Sequence, residues 1–103
     1  MSVAELKQRL DAPDSKPFLL DVREPNEFAC CNIDGSVLVP LGELVQRAQE
    51  LPTDREIVVI CHHGNRSFRA AAWLQQSLGL DVINLQGGVA AWAAEIDPAM
   101  KQY

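Results

Sequence analysis

Residues 57–60, Ile-Val-Val-Ile, run directly into Cys61 and then into His62-His63-Gly64-Asn65-Arg66-Ser67. A strand with one face in water alternates apolar and polar side chains, and four consecutive branched apolar residues leave no polar face. The run therefore predicts a strand covered on both sides, the mark of a central strand in a parallel sheet. It delivers a thiol, a glycine, a guanidinium and two imidazoles to one end of that strand.

The rest of the chain alternates strands with helices. Ser2 with Glu5 three residues on is a capping-box pattern that opens a helix burying Val3, Leu6 and Leu10. Pro13 and Pro17 bound a turn, and FLLDV (18–22) reads as a short buried strand. REPNEF (23–28) suits one helical turn, with Pro25 early where its missing N–H does least harm. SVLVP (36–40) is a strand stopped by Pro40, followed by a helix whose face is Leu41, Leu44, Val45, Ala48 and Leu51. After the strand EIVVI (56–60), a helix over 66–78 carries a stripe of Ala70, Ala71, Leu74 and Leu78 and ends at Gly79. DVINL (81–85) is the last strand. Gly87-Gly88 opens the last helix, through Val89, Ala91 and Trp92 to a stop at Pro98. The pattern predicts one α/β domain over residues 1–103, with a mostly parallel central sheet flanked by helices. Ligands of such sheets gather at the carboxyl ends of the strands, where Cys61 falls.

Composition narrows the classes. With 103 residues, 48% apolar and 22% charged, the chain has the profile of a globular protein. Its net charge of −5, with few and scattered Lys and Arg, argues against a nucleic-acid partner. No apolar run approaches the ~20 residues that span a bilayer, and the first residues, MSVAELKQRL, are charged where a signal peptide is apolar. The expected location is the cytoplasm, with no membrane partner. The three cysteines, Cys30, Cys31 and Cys61, are an odd set with two adjacent, unlike a disulfide framework, and are expected to be reduced.

A strand that runs into a tight turn and a helix leaves the turn's N–H groups without ladder partners. Those donors, with the positive end of the helix, can converge on Cys61 Sγ and favour its thiolate. Gly64 gives the turn its backbone freedom. Arg66 either braces the loop or holds an anion through two parallel hydrogen bonds. Ser67 is a helix cap or an extra donor. His62 and His63 are either exposed polar residues or cationic walls of an anion pocket. Adjacent histidines beside one cysteine do not match the spacing of zinc sites, so neither a metal nor another cofactor is expected.

Cys61-His62-His63-Gly64-Asn65-Arg66-Ser67 resembles the active-site loop of rhodanese-like sulfurtransferases, Cys-x-x-Gly-x-Arg followed by a small hydroxyl residue. LLDVREPNEF (19–28) is similar to that family's Asp-Val-Arg-Glu segment, and NLQGGVAAW (84–92) to its Gly-Gly-x-x-x-Trp ending. Three motifs in the family's order span most of the chain. The resemblance implies a rhodanese-like domain. Cys61 would take the outer sulfur of a donor such as thiosulfate and pass it, through a persulfide, to a thiophilic acceptor: cyanide in the test tube, a thiol or protein in the cell. It implies that His62 through Ser67 form the substrate loop, and that Asp21 and Arg23 support it by polar contacts. Four residues separate Cys61 from Arg66, as in the sulfur-handling members. Related phosphatases and arsenate reductases have one more, so that chemistry is the lesser alternative. A binding module with an inert Cys61 is the other.

Two segments depart from or extend the pattern. Cys31-Asn32-Ile33-Asp34-Gly35-Ser36 stands where the family reads Gly-His-Ile-Pro-Gly-Ala, which puts a cysteine in a glycine position. An incidental thiol is the favoured reading there, over one that resolves a Cys61 persulfide as a disulfide. The tail WAAEIDPAMKQY (92–103) resembles the end of rhodanese domains attached to E1-like enzymes that make thiocarboxylates on ubiquitin-like sulfur carriers. That implies sulfur supplied to such a carrier system in trans.

Overall fold

A computed structural model describes residues 1–14 and 16–103. Four parallel strands form one sheet: β1 (Phe18–Asp21), β2 (Val37–Leu38), β3 (Ile57–Ile60) and β4 (Val82–Asn84), in the order β2-β1-β3-β4. Leu20 pairs with Val37 on one side of β1 and with Val59 on the other, and Val59 pairs in turn with Asn84. The expected parallel α/β sheet is thus observed, with β3 in its interior.

The period-2 alternation of β3 explains its composition. Ile57 and Val59 face a layer that contains Leu44, Ala70, Ala71 and Leu74. Val58 and Ile60 face the opposite layer, with Val3, Leu6, Val89 and Trp92. Helices α1 (Val3–Asp11) and α5 (Gly88–Glu95) cover this second face, while α3 (Leu44–Arg47) and α4 (Asn65–Leu78) cover the first. Each β3 side chain is at most 1% exposed, and burying one stabilises the fold by about 1.5–3 kcal/mol as an upper estimate. Cys61 continues the odd-numbered series and so packs with Ile57 and Val59 in the first layer.

Helix α1 begins as expected: Glu5 N donates to Ser2 Oγ at 3.1 Å, and Ser2 N donates back to the Glu5 carboxylate at 3.5 Å. Helix α2 (Pro25–Cys30) starts two residues later than the expected helical turn over 23–28. The expected helix over 41–51 is broken into a 3₁₀ turn at Leu41–Glu43, the short α3, and a second 3₁₀ turn at Ala48–Glu50. Three-residue turns advance each side chain further around the axis than α-helical ones do. The buried face narrows to Leu44, Ala48 and Leu51, and Val45 is 69% exposed. Leu78, the last residue of α4, is also exposed, and Gly79 ends that helix in the left-handed conformation.

Candidate active site

Cys61 follows β3 at the carboxyl edge of the sheet and is 1% exposed. Gly64 N donates to its Sγ at 3.1 Å, Ser67 N at 3.4 Å and Ser67 Oγ at 3.3 Å. Those donors converge because Gly64, at φ +104°, turns the chain back and starts the 14-residue α4. The positive end of that helix dipole faces the sulfur. Burial pushes the Cys61 thiol up, but hydrogen bonds from the Ser67 hydroxyl and from the N–H groups of Ser67, Gly64 and Arg66 outweigh it. The thiol lies below its ordinary value.

The loop's carbonyls point the other way. Cys61 O accepts from Val89 N and His62 O from Ala90 N, both at 2.9 Å, so the first turn of α5 is satisfied by the loop itself. This docking requires glycine at position 88. A Cβ there would stand 2.3 Å from Cys61 O and 2.5 Å from His62 O.

Arg66 does not stand free. Its Nη1 and Nη2 donate to the two oxygens of Glu27, at 2.7 and 2.9 Å, a bidentate pair from α4 to α2. Hydrogen bonds from Arg66 hold the Glu27 carboxyl down at about 2, against a smaller upward push from burial. Tyr103 Oη also donates to Glu27, at 3.0 Å, and accepts from Arg23 Nη1 at 2.8 Å.

Asp21 and Arg23 are wholly buried, beside the end of β1. Arg23 Nε and Nη2 donate to the Asp21 carboxylate at 2.9 and 2.7 Å, and Nη2 donates to Cys31 O at 2.7 Å. A buried guanidinium with a carboxylate and further oxygens around it keeps its charge. Among the described residues, the Arg23 side chain makes no hydrogen bond to the Cys61 loop itself; it reaches Arg66 through Tyr103 and Glu27. The contact is indirect.

His62 is partly buried, with the His63 ring tilted near it (ring centroids 4.0 Å apart) and the Tyr103 ring stacked on it at 4.1 Å. Burial, then the neighbouring His63, lowers its pKa. His63 and Asn65 are exposed, and with Arg66, Phe68 and Arg69 they line a cleft of about 690 Å³. Cys30, Cys31 and Cys61 are all free thiols. Cys31 packs in the layer across the sheet from Cys61, and burial pushes its thiol up. Its φ of −163° is extended backbone, so the cysteine in a glycine position does not disturb the turn.

Of the residues expected from 61 to 67, Gly64 and Ser67 donate to the Cys61 sulfur, while Arg66 pairs with Glu27, His62 stacks with Tyr103, and His63 and Asn65 line the cleft. Two further side chains at the site, Glu27 and Asn84, carried no expectation of their own, and a third, Tyr103, comes from the tail 92–103 quoted for its resemblance. Asn84 lies at the end of β4, with its side-chain amide in hydrogen-bond contact with Ser67 Oγ. Glu27 and Asn84 lie inside segments quoted for other reasons, and no spacing tied them to Cys61.

Residues 2–95 match the rhodanese-like domain family, and the chain belongs to that family. A sulfurtransferase of Allochromatium vinosum is 40% identical over 88 residues, covering 85% of this chain and 81% of that one. The thiosulfate sulfurtransferase GlpE of Pseudoalteromonas translucida is 31% identical over 94 residues, covering 91% and 88%. Among solved structures, a rhodanese-related protein from Thermoplasma volcanium superposes with a TM-score of 0.85 at 36% identity, covering 93% and 91%. The first two of these relatives are named for sulfur transfer.

Proposed function

We propose that this protein is a sulfurtransferase that carries sulfane sulfur on Cys61. The observation that carries the reading is the convergence of Gly64 N, Ser67 N and Ser67 Oγ on a buried sulfur. The Cys61 thiolate attacks the outer sulfur of thiosulfate; a new S–S bond forms, the bond to the sulfonate breaks, and sulfite leaves with the electron pair. The persulfide keeps its inner sulfur, Cys61 Sγ, among the same donors. A thiophilic acceptor then attacks the outer sulfur and returns the Cys61 thiolate, giving thiocyanate when the acceptor is cyanide. Two separate half-reactions produce ping-pong kinetics.

His62 to Ser67 form the substrate loop in this reading, and Asp21 and Arg23 support it through Tyr103 and Glu27. The name of the Pseudoalteromonas relative supports thiosulfate as one donor. The cellular acceptor is a thiol or a protein, including a ubiquitin-like sulfur carrier as the tail resemblance implies. A reducing compartment such as the cytoplasm suits three free thiols. The Arg66–Glu27 pair favours this chemistry over a phosphatase, because the loop guanidinium is engaged by a carboxylate rather than left for a tetrahedral oxyanion.

The test is intact mass after brief exposure to thiosulfate and then to cyanide. The expected result is a gain of one sulfur atom, lost on adding cyanide and absent from Cys61→Ser. Failure of a folded protein to load from either thiosulfate or a small alkyl persulfide would overturn the reading.

A further inference from the structure

Ser67 Oγ is within hydrogen-bond distance of two acceptors: Cys61 Sγ, at 3.3 Å, and the side-chain oxygen assigned to Asn84. A hydroxyl carries one proton and donates once. If that proton goes to Asn84 Oδ1, Ser67 turns a lone pair toward the sulfur, opposing the thiolate that the two backbone N–H groups favour. The oxygen and nitrogen of an amide are assigned from the surrounding hydrogen bonds rather than from the shape of the group. Here the surroundings leave the choice open on the far side, because Asn84 Nδ2 donates to nothing among the described residues. Turning the amide over exchanges the Ser67–Asn84 hydrogen bond for one of opposite direction and breaks no other among the described residues.

We infer that Asn84 is a positioning residue: its Nδ2–H donates to Ser67 Oγ, and this directs the single Ser67 proton onto the Cys61 sulfur. Every group then has a partner of the right kind, in the order amide N–H, hydroxyl, sulfur anion. The placement follows from the sheet. Asn84 is the last residue of β4, paired with Val59 two residues before Cys61 on the neighbouring strand, so its side chain emerges at the level of the loop's floor. Ser67 sits in the first turn of α4 and is wholly buried, with no water surface to satisfy its hydroxyl by another route. The chain of donors holds the sulfur from below while Gly64 N holds it from the turn.

The inference deepens the sulfurtransferase reading and rests on Cys61 being the sulfur carrier, but its test reads the thiolate directly. The rate of iodoacetamide modification, mapped to Cys61 by mass, is followed against pH in the parent protein, Asn84→Ala, Ser67→Ala and the double variant. Asn84→Ala is expected to raise the Cys61 midpoint by roughly one to two pH units, the scale of one hydrogen bond to an anion. In the Ser67→Ala background the same substitution is expected to change nothing, because the relay is already cut. Asn84→Asp, of the same size, cannot donate when ionised and is expected to raise the midpoint at least as far as Asn84→Ala. An equal rise with and without Ser67, or no rise in folded Asn84→Ala and Asn84→Asp, overturns the inference. Sulfur loading measured on the same samples separates that failure from failure of the sulfurtransferase reading, since loss of the relay slows loading at neutral pH without abolishing it.

Discussion

Glu27 is the residue whose role is hardest to guess from its neighbours in the chain and easiest to test. Its carboxyl titrates at about 2, against an ordinary 4.5, because Arg66 grips both oxygens. Between those two values the unfolded chain takes up a proton that the folded chain refuses. The contribution to stability is therefore complete above about 4.5 and disappears as the pH falls toward about 2. With Arg66 38% exposed, screening reduces it to on the order of 2 kcal/mol. Urea unfolding at pH 6 and pH 3 should show Glu27→Gln less stable than the parent at pH 6, with the gap closing at pH 3. His62 gives a second pH effect of opposite use. Its lowered pKa means that it gains charge only below the ordinary midpoint of about 6.5. Thiosulfate cleavage should rise as the pH falls through that lower range, and kcat/KM profiles of His62→Asn should lack the rise. Cys61, itself lowered, retains its thiolate longer on acidification than an ordinary thiol.

The loop works as an element because another element is bolted to its back. The N-terminus of α5 uses the Cys61 and His62 carbonyls as its first acceptors, and Gly88 lets the two backbones touch. Gly88→Ala should cost well over ~2 kcal/mol, since a left-handed φ of +58° is strained for alanine and the new methyl group meets two carbonyls. Gly35→Ala, also at positive φ but with open space around it, should lose only about 1–2 kcal/mol. Denaturant midpoints of the two variants compare them directly. The Gly87-Gly88 pair was legible in the sequence as the opening of a helix, and EIVVI followed by Cys61 as a buried strand that ends in a thiol. Local signals sufficed there. The segment 41–51 was less legible, because Leu41 and Val45 obey helical spacing while the tight turns at each end point them at solvent. Arg23 was expected to support the loop by polar contacts, but its partners Cys31 and Tyr103 come from elsewhere in the chain, so the indirect route it takes could not be read from the strand end alone.

Across the whole molecule, the chain leaves β1 for β2 at one side, returns past β1 to β3, and goes on to β4 at the other. The strand order therefore reverses between β1 and β3, and a parallel sheet opens a crevice at the carboxyl ends of such a pair. Arg23 stands near one of those ends and Cys61 at the other. Tyr103 ties the two sides, through Arg23 and Glu27, and its ring lies on His62. Tyr103→Phe should keep the stack but lose both hydrogen bonds, lowering the thermal midpoint by the equivalent of about 1–2 kcal/mol. A melt unchanged from the parent would remove Tyr103 from this role. The depth of Cys61, 1% exposed beneath its own turn, has a consequence for which bond breaks. A persulfide has two electrophilic sulfurs, and attack on the inner one expels sulfide and leaves the attacker joined to the protein. In the persulfide proposed above, Cys61 Sγ would be the inner sulfur, and the donors packed around it, Gly64 N, Ser67 N and Ser67 Oγ, would leave an acceptor only the outer one. On that reading burial would set the regiochemistry: the cargo would depart with the acceptor, and the protein would be neither trapped as a mixed disulfide nor emptied as hydrogen sulfide.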